Sequence, residues 1–325
     1  MTPALQLEIL DLRHFSAASL RPLLEAEARM WSERLEWDYR ASANLLLQYL
    51  DSRVLPGYVA IEGGRISGYV FCVYEDHKAV IGDVFAAPRH SEVPASEVET
   101  RLLENLIELL QNSPGVNRIE SQLLLHPHGT HAAVFRAEGF EIVRRLFLRL
   151  DLTNGVHLPA TLPPEMMIRP WKEEDFNPAA QLISTAYCGH LDSHINDQYR
   201  TVAGSLRFLH NIVRFPGCGF FDPAASRVLV VKGSNELAGV LLCSRVRDDV
   251  AHITQLCVAN AYRGRGFGRL LIDICADEVR RRDFRALTLT VTEANERALA
   301  LYHHAGFVAT HSFDAMLWER GFRKE

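Results

Sequence analysis

The stretch QLCVANAYRGRGFGRLLI, residues 255–272, decides how this chain is read. It begins as the end of a strand at Val258. A short turn follows, and Arg263-Gly264-Arg265-Gly266-Phe267-Gly268 then opens a helix. Leu270, Leu271, Ile274, Cys275 and Val279 recur at helical spacing and predict a helix over about 266–282. Glycines at such a turn let backbone N–H groups approach a ligand closely. The free N–H groups and positive dipole end at a helix start favour a pyrophosphate. Arg263, Arg265 and Arg269 add positive charge, so the segment offers an anion cradle at a strand-to-helix turn.

Working outward, 227–233, 237–246 and 250–259 read as strands rich in β-branched residues. After the helix, ALTLTVT at 286–292 is a strand. Asn295 to His304 is a helix, and a last strand starts at Phe307. Strands in a meander, followed by strand–helix–strand, give a mixed α/β sheet.

The same order is expected earlier, with a helix over 95–112, a strand over 116–125 and a helix over 129–137. RISGYVFCVY (65–74) matches ELAGVLLCSR (236–245): Gly68 pairs with Gly239 and Cys72 with Cys243, both at an offset of 171. FRAEGF (135–140) matches YHHAGF (302–307) at an offset of 167. Two matches in one order at nearly one offset indicate two copies of one fold. The turn-rich stretch 153–164 is the expected join, between a first domain 1–152 and a second 165–325.

The length, 325 residues, agrees with two domains. A hydrophobic share of 48%, a charged share of 23% and a mean hydropathy of -0.04 are those of a globular chain. A net charge of -5 removes the broad basic footprint of a nucleic-acid-binding protein. No apolar run reaches the roughly 20 residues that span a bilayer, and MTPALQLEILDLRHF has no signal-peptide pattern. A cytoplasmic protein is expected, with no membrane and no nucleic-acid partner. Cys72, Cys188, Cys218, Cys243, Cys257 and Cys275 form no CxxC pair, so buried reduced thiols are expected, with no disulfide scaffold and no metal site.

Three readings compete for the glycine-rich segment. It is an ordinary turn, a dinucleotide site or a coenzyme A site. The dinucleotide fingerprint fits poorly, since its third glycine would fall at Arg269; a nucleoside-triphosphate loop is excluded because no GK[ST] follows. RGRGFG does fit [QR]-x-x-G-x-[GA], and NERALALYHHAGF (295–307) has an Asn-…-Ala-…-Tyr-…-GF pattern. Together these resemble the GNAT acyltransferase family. The resemblance implies two tandem GNAT-like domains, each a mixed central β-sheet flanked by helices, with acetyl-CoA as co-substrate. At matching positions, main-chain groups of Leu256, Cys257 and Val258 would meet the pantetheine arm. Those of Arg263, Gly264, Arg265, Gly266, Phe267 and Gly268, with Arg269, would hold the pyrophosphate. Asn295 would contact the arm, and Tyr302 would protonate the departing thiolate.

Asn295 and Tyr302 are two helical turns apart, on one face. Asn295 is also a natural N-cap, and Tyr302 also suits a core beside Ala298, Leu301 and Ala305. In one branch of the family a glutamate lies eleven residues before the first motif residue. Here that position is His252, a candidate base or a plain strand histidine; Glu293 and water are the other candidates. In 185–221, Tyr187, His190, Asp192, His194, Asn196 and Tyr199 form a polar and aromatic cluster. Tyr187, Asp192, His194 and Tyr199 are the candidate acceptor residues, unless this is a solvated loop.

The first half departs from the pattern. Its loop, 84–103, has no glycine; it has Pro88 and Pro94, which lack N–H donors, and Glu92, Glu97 and Glu99, which oppose an anion. Phe135 stands for Tyr302 and His128 for Asn295. A degenerate first half and one catalytic second half follow. The expected reaction is acetyl transfer to a primary amine of a small molecule or peptide. The alternatives are a non-catalytic acyl-CoA sensor, or a tandem acyltransferase of another donor or a thiol-biosynthesis acceptor, as in mycothiol synthase-like members. A monomer is in keeping with two halves that pair with each other.

Overall fold

The computed structural model describes residues 7–87, 93–153, 162–234 and 236–321. In chain order, β1 (Glu8–Asp11), α1 (Ala17–Leu35), α2 (Arg40–Asp51), β2 (Gly57–Glu62), β3 (Arg65–Glu75), β4 (Lys78–Ala86), α3 (Ala95–Asn112), β5 (Arg118–Gln122), α4 (Ala132–Ala137) and β6 (Glu141–Asp151) form the first series. The second is β7 (Met166–Pro170), α5 (Phe176–Ala186), α6 (Leu191–Ile195), α7 (Val202–Arg214), β8 (Phe220–Phe221), β9 (Arg227–Val231), β10 (Leu237–Arg247), β11 (Val250–Val258), α8 (Phe267–Arg281), β12 (Ala286–Thr292), α9 (Glu296–His304) and β13 (Val308–Glu319). The α/β class is as the sequence predicts. Helix α4 is shorter than expected, because Pro127 and the left-handed Gly129 hold the preceding residues in turns.

Two compact units result, and they interleave along the sequence. Unit 1 comprises Met1–Leu35, Tyr39–Arg145 and Ser312–Glu325; unit 2 comprises Glu36–Asp38 and Leu146–His311. A cut at a 153–164 join therefore does not coincide with the units. The later part of β13 belongs to unit 1, where its Ala315–Glu319 pair antiparallel with Gln122–Arg118 of β5. Residues 154–161 of the expected join lie outside the described residues.

In unit 1 the strand order is β1-β2-β3-β4-β5. Helix α3 buries Val98, Leu102, Leu103, Leu106, Ile107 and Leu110 against it, one stripe at helical spacing. In unit 2 the order is β12-β11-β10-β9-β7, with β8 on β10. One face packs α8, through Leu271, Cys275 and Val279, onto Leu241, Cys243, Leu287 and Leu289. The other packs α5 and α7, through Ala179, Ile183 and Leu209, onto Val240, Leu242 and Cys257. Asp273 on α8 is buried. Cys72, Cys243, Cys257 and Cys275 are buried free thiols, whereas Cys188 and Cys218 are exposed.

The internal repeat extends to the irregularities. In β3 the register jumps at Ser67, and in β10 it jumps at Ala238. In β4 the extra residue is Gly82, and in β11 it is Thr254. A bulge places two residues against one and bends the strand. Both units carry both bulges at offsets of 171 and 172. Phe135 stands edge-on to Phe140 at 5.0 Å, as Tyr302 does to Phe307 at 5.9 Å.

The two bulges in β4 and β11 differ in tolerance. A Cβ on Gly82 would lie 2.2 Å from the buried ring of Phe71, whereas Thr254 holds a half-buried side chain whose hydroxyl donates to Leu242 O at 3.3 Å. Gly82→Ala is expected to destabilise the protein by about 1–3 kcal/mol through overpacking. Thr254→Ala should cost about 1 kcal/mol or less. Urea denaturation of the two variants checks the contrast; equal losses would show that Phe71 gives way.

Candidate active site

The site in unit 2 begins where two strands part. β11 and β12 pair in parallel from Val250–Ala286 to Ile253–Leu289. Beyond that β11 runs on to Val258 and β12 to Thr292 without pairing to each other. Ala259 N–H donates to Ala238 O on the β10 side. By alternation, Cys257 turns its main-chain groups to β10, and Leu256 and Val258 turn theirs to the open side. Their carbonyls are met there by side chains: Tyr187 Oη lies 3.5 Å from Leu256 O, and Arg263 Nε donates to Val258 O at 3.0 Å. The Cys257 thiol points into the α5/α7 core, and burial pushes it up to about 12, so it stays protonated.

The glycine-rich turn has the backbone the sequence demands. Gly264 and Gly266 have φ of 78° and 80°, in the left-handed region, with open space where a Cβ would stand. Gly266 is the N-cap of α8 and supplies no side-chain bond. The first bond into the helix is Leu270 N–H to Gly266 O, which leaves the N–H groups of Phe267, Gly268 and Arg269 without helical acceptors. The Phe267 ring itself is buried in the α8 core.

The three arginines do less as free charges than their number suggests. Arg263 also donates to Ala186 O at 2.9 Å, closing the end of α5 onto the end of β11. Arg269 pairs with Asp273 at 2.7 Å and donates to His304 O at 2.6 Å, tying α8 to the end of α9. Arg265 lies over the Tyr262 ring, 5.6 Å from its centroid. Only the spatial arrangement reveals that Arg263 and Arg269 brace the turn.

Tyr187, Asp192, Tyr199, Cys257 and Tyr302 converge. Burial raises the Tyr187 phenol well above its usual range, and Tyr199, Cys257, Asp192 and Tyr302 around it add to the effect. Tyr187 packs on Tyr199 at 4.6 Å, and Tyr199 meets Phe208 edge-on at 4.9 Å. Asp192 accepts from the Thr292 hydroxyl at 2.6 Å, which places its carboxylate at the end of β12. The segment expected as either a roof or a loop is largely helical, spanning α6, a 3-10 turn at Asp197–Arg200 and α7. His194 is half-buried on α6. Tyr302 is buried in the α8-side core, with Ala298, Leu301 and Ala305 packed against the same cluster. Asn295 caps α9 by accepting from Ala298 N–H at 3.2 Å.

His252 sits in the paired part of β11, opposite Ser244 and Thr288. It is buried between Trp37, at 4.9 Å, and Phe147, at 5.8 Å. The Thr288 hydroxyl gives its proton to Ala251 O. It must therefore accept from His252 Nδ1, 2.9 Å away, and that tautomer leaves the lone pair on Nε2.

Residues 192–307 match the acetyltransferase (GNAT) family. The matched residues lie within unit 2. The whole chain resembles solved GNAT structures. The GCN5-related N-acetyltransferase from Sphaerobacter thermophilus is 16% identical, with 97% of each chain covered and a TM-score of 0.67. The tandem GNAT protein from the clavulanic acid biosynthesis pathway is 16% identical, with 98% of this chain and all of that one covered, at 0.60. A glucosamine N-acetyltransferase region of a fungal multi-domain β-N-acetylglucosaminidase matches at 16% and 0.66, over 98% of this chain and 38% of that one. Likeness at this identity establishes the fold alone. No curated protein matches the sequence. Among the described residues, no helix is long and apolar enough to cross a membrane.

The same strand edge in unit 1 is closed, which the sequence did not reveal. There β4 and β5 pair from Lys78–Arg118 to Ile81–Ser121, and then part as β11 and β12 do in unit 2. Ala87 N–H donates to Ser67 O, so Val84 and Ala86 face the open side. Side chains fill it: Val84 N–H donates to Asp83 at 2.9 Å, His126 Nε2 donates to Val84 O at 2.7 Å, and Ala86 N–H donates to Glu99 at 3.1 Å. Residues 88–92, with Pro88 and Glu92, lie outside the described residues.

Replacing Asn295 separates its two candidate roles. Asn295→Ala should cost about 1 kcal/mol through the lost cap. Asn295→Ser keeps a capping oxygen and should restore most of that stability in thermal melts. A loss shared by both variants would mean that the side chain acts beyond the cap.

Proposed function

We propose that unit 2 transfers the acetyl group of acetyl-CoA to a primary amine by direct attack. The observation that carries this is the open edge of Leu256 and Val258 beside a left-handed glycine turn that opens α8. A pantetheine arm is a strand-like chain with amide groups, and this edge offers it main-chain partners. The space above Gly264 and Gly266, and the N–H groups at the start of α8, fit a pyrophosphate.

Tyr302 is the proposed acid for the thiolate. It lies close to Tyr187, whose hydroxyl is near Leu256 O at the parting strands. An alkyl amine is mostly protonated near neutrality and must lose a proton before it attacks. His252 is the proposed acceptor of that proton, through water, because Thr288 holds its Nε2 in the basic form. Asp192 and the Tyr187–Tyr199 pair would receive the cationic acceptor before deprotonation. The acceptor is a small-molecule or peptide amine.

One acetyl-CoA per chain is proposed, because unit 1 already satisfies the corresponding edge with Asp83, Glu99 and His126. Phe135, without a hydroxyl, stands where Tyr302 stands.

Tyr302→Phe should lower kcat by on the order of 10²–10⁴ while acetyl-CoA affinity changes little. In the same assay, His252→Ala should lose the ionisation near neutrality from its pH–rate profile. An equal fall of rate and affinity in the tyrosine variant would mark a packing role instead. Calorimetry on the full chain should give a stoichiometry near one, and Gly266→Asp should abolish that binding. Two sites of similar affinity would refute the reading of unit 1. Binding without turnover across an amine and peptide panel would favour a sensor.

A further inference from the structure

We propose that Glu99, His126 and His131, in the cleft between the parting strands of unit 1, form a site for a divalent metal ion of the zinc class. The three side chains come from α3 and from the segment after β5, and all are more than nine-tenths buried. Three ligand atoms face one another: His126 Nδ1, His131 Nε2 and Glu99 Oε2. The two nitrogens are 3.2 Å apart. Glu99 Oε2 is 3.5 Å from His131 Nε2 and 3.9 Å from His126 Nδ1. A tetrahedral zinc ion with ligands about 2.0–2.1 Å away needs ligand-to-ligand edges of about 3.3 Å. Two edges are within about 0.2 Å of that, and the third, longer by about 0.6 Å, ends on the flexible carboxylate.

The surroundings orient the ligands as a metal requires. A carbonyl only accepts, so the bond to Val84 O puts the His126 proton on Nε2 and leaves the Nδ1 lone pair facing the triangle. Glu99 is anchored by its other oxygen, which accepts from Ala86 N–H. His131 Nδ1 has no partner, so it can carry the ring proton when Nε2 takes the metal. Two imidazoles and one carboxylate suit zinc or a similar first-row ion.

Further buried carboxyls stand beside the site. Glu27 and Asp83 lie next to the triangle, both raised by burial, and Glu27 is held by Tyr69 at 2.5 Å and Trp31 at 3.3 Å. Asp83 is 3.9 Å from His126 Nε2. The only cation among the influences on Glu99 is Arg34. A bound divalent ion would favour the ionised form of these carboxyls, which burial alone opposes. Neither histidine was singled out as a ligand by sequence, because the spacing His126-x-x-x-x-His131 on a turn matches no familiar metal motif.

The test uses the full chain, stripped with chelator and dialysed against zinc or cobalt(II). The wild type should retain one equivalent by elemental analysis, give a tetrahedral cobalt absorption band, and melt at a higher temperature with metal than with chelator. His131→Gln and Glu99→Gln should each weaken binding at least about 10²-fold and lose the cobalt band. The wild-type melt comparison needs no variant, so a misfolded variant does not spoil the test. No retained equivalent and no melting shift would overturn the proposal. Equal binding in both folded variants would also overturn it, since the metal would then sit on other histidines. Neither outcome bears on acetyl transfer in unit 2.

Discussion

Parallel strands that pair over four residues and then separate leave main-chain donors and acceptors along their inner edges. Such groups are costly when buried without partners, so each unit must answer them. Unit 2 answers at the carbonyls of Leu256 and Val258, through Tyr187 and Arg263. Unit 1 answers with its own carboxylates and imidazole. One backbone design thus yields a receptive cleft in one copy and a filled one in the other. The difference lies in a few side chains near the strand ends.

The bulge before each parting makes this arrangement possible. An extra residue in β4 and β11 bends the strand and increases its twist. In unit 2 the start of α8 has glycine and no capping side chain, which sacrifices some stability and leaves N–H groups available. Arg263 and Arg269 compensate by tying the turn to α5 and α9. The glycine-rich turn is therefore open at its tip and braced at its base.

Much of this was legible in the sequence. The bounds of β12 and α9, the glycines that require left-handed backbone, and the Asn295 cap all follow from local rules. The repeat could be seen because Gly68/Gly239 and Cys72/Cys243 occupy the same places in two strands. What escaped notice depends on distant partners. Arg263 and Arg269 read as ligand-binding charges because their carbonyl and carboxylate partners lie on other elements or a turn away. Glu99 read as a repulsive charge, although its partner is a backbone N–H on another strand. The division of β13 between the two units has no local signature, since it depends on partners distant in the sequence.

That shared strand sets an order of events during synthesis. Residues 118–122 leave the ribosome long before 315–319, their partners in the sheet. At about 5–20 residues per second the wait is roughly 10–40 s. Through that interval β5 is an unprotected edge, the kind of surface that recruits strands from other chains. Its sequence, RIESQ, is suited to waiting: Arg118 and Glu120 are charged, and both join ion pairs with each other or with Lys78. The charges that later sit in a closed sheet would first serve as guards against aggregation of the nascent chain.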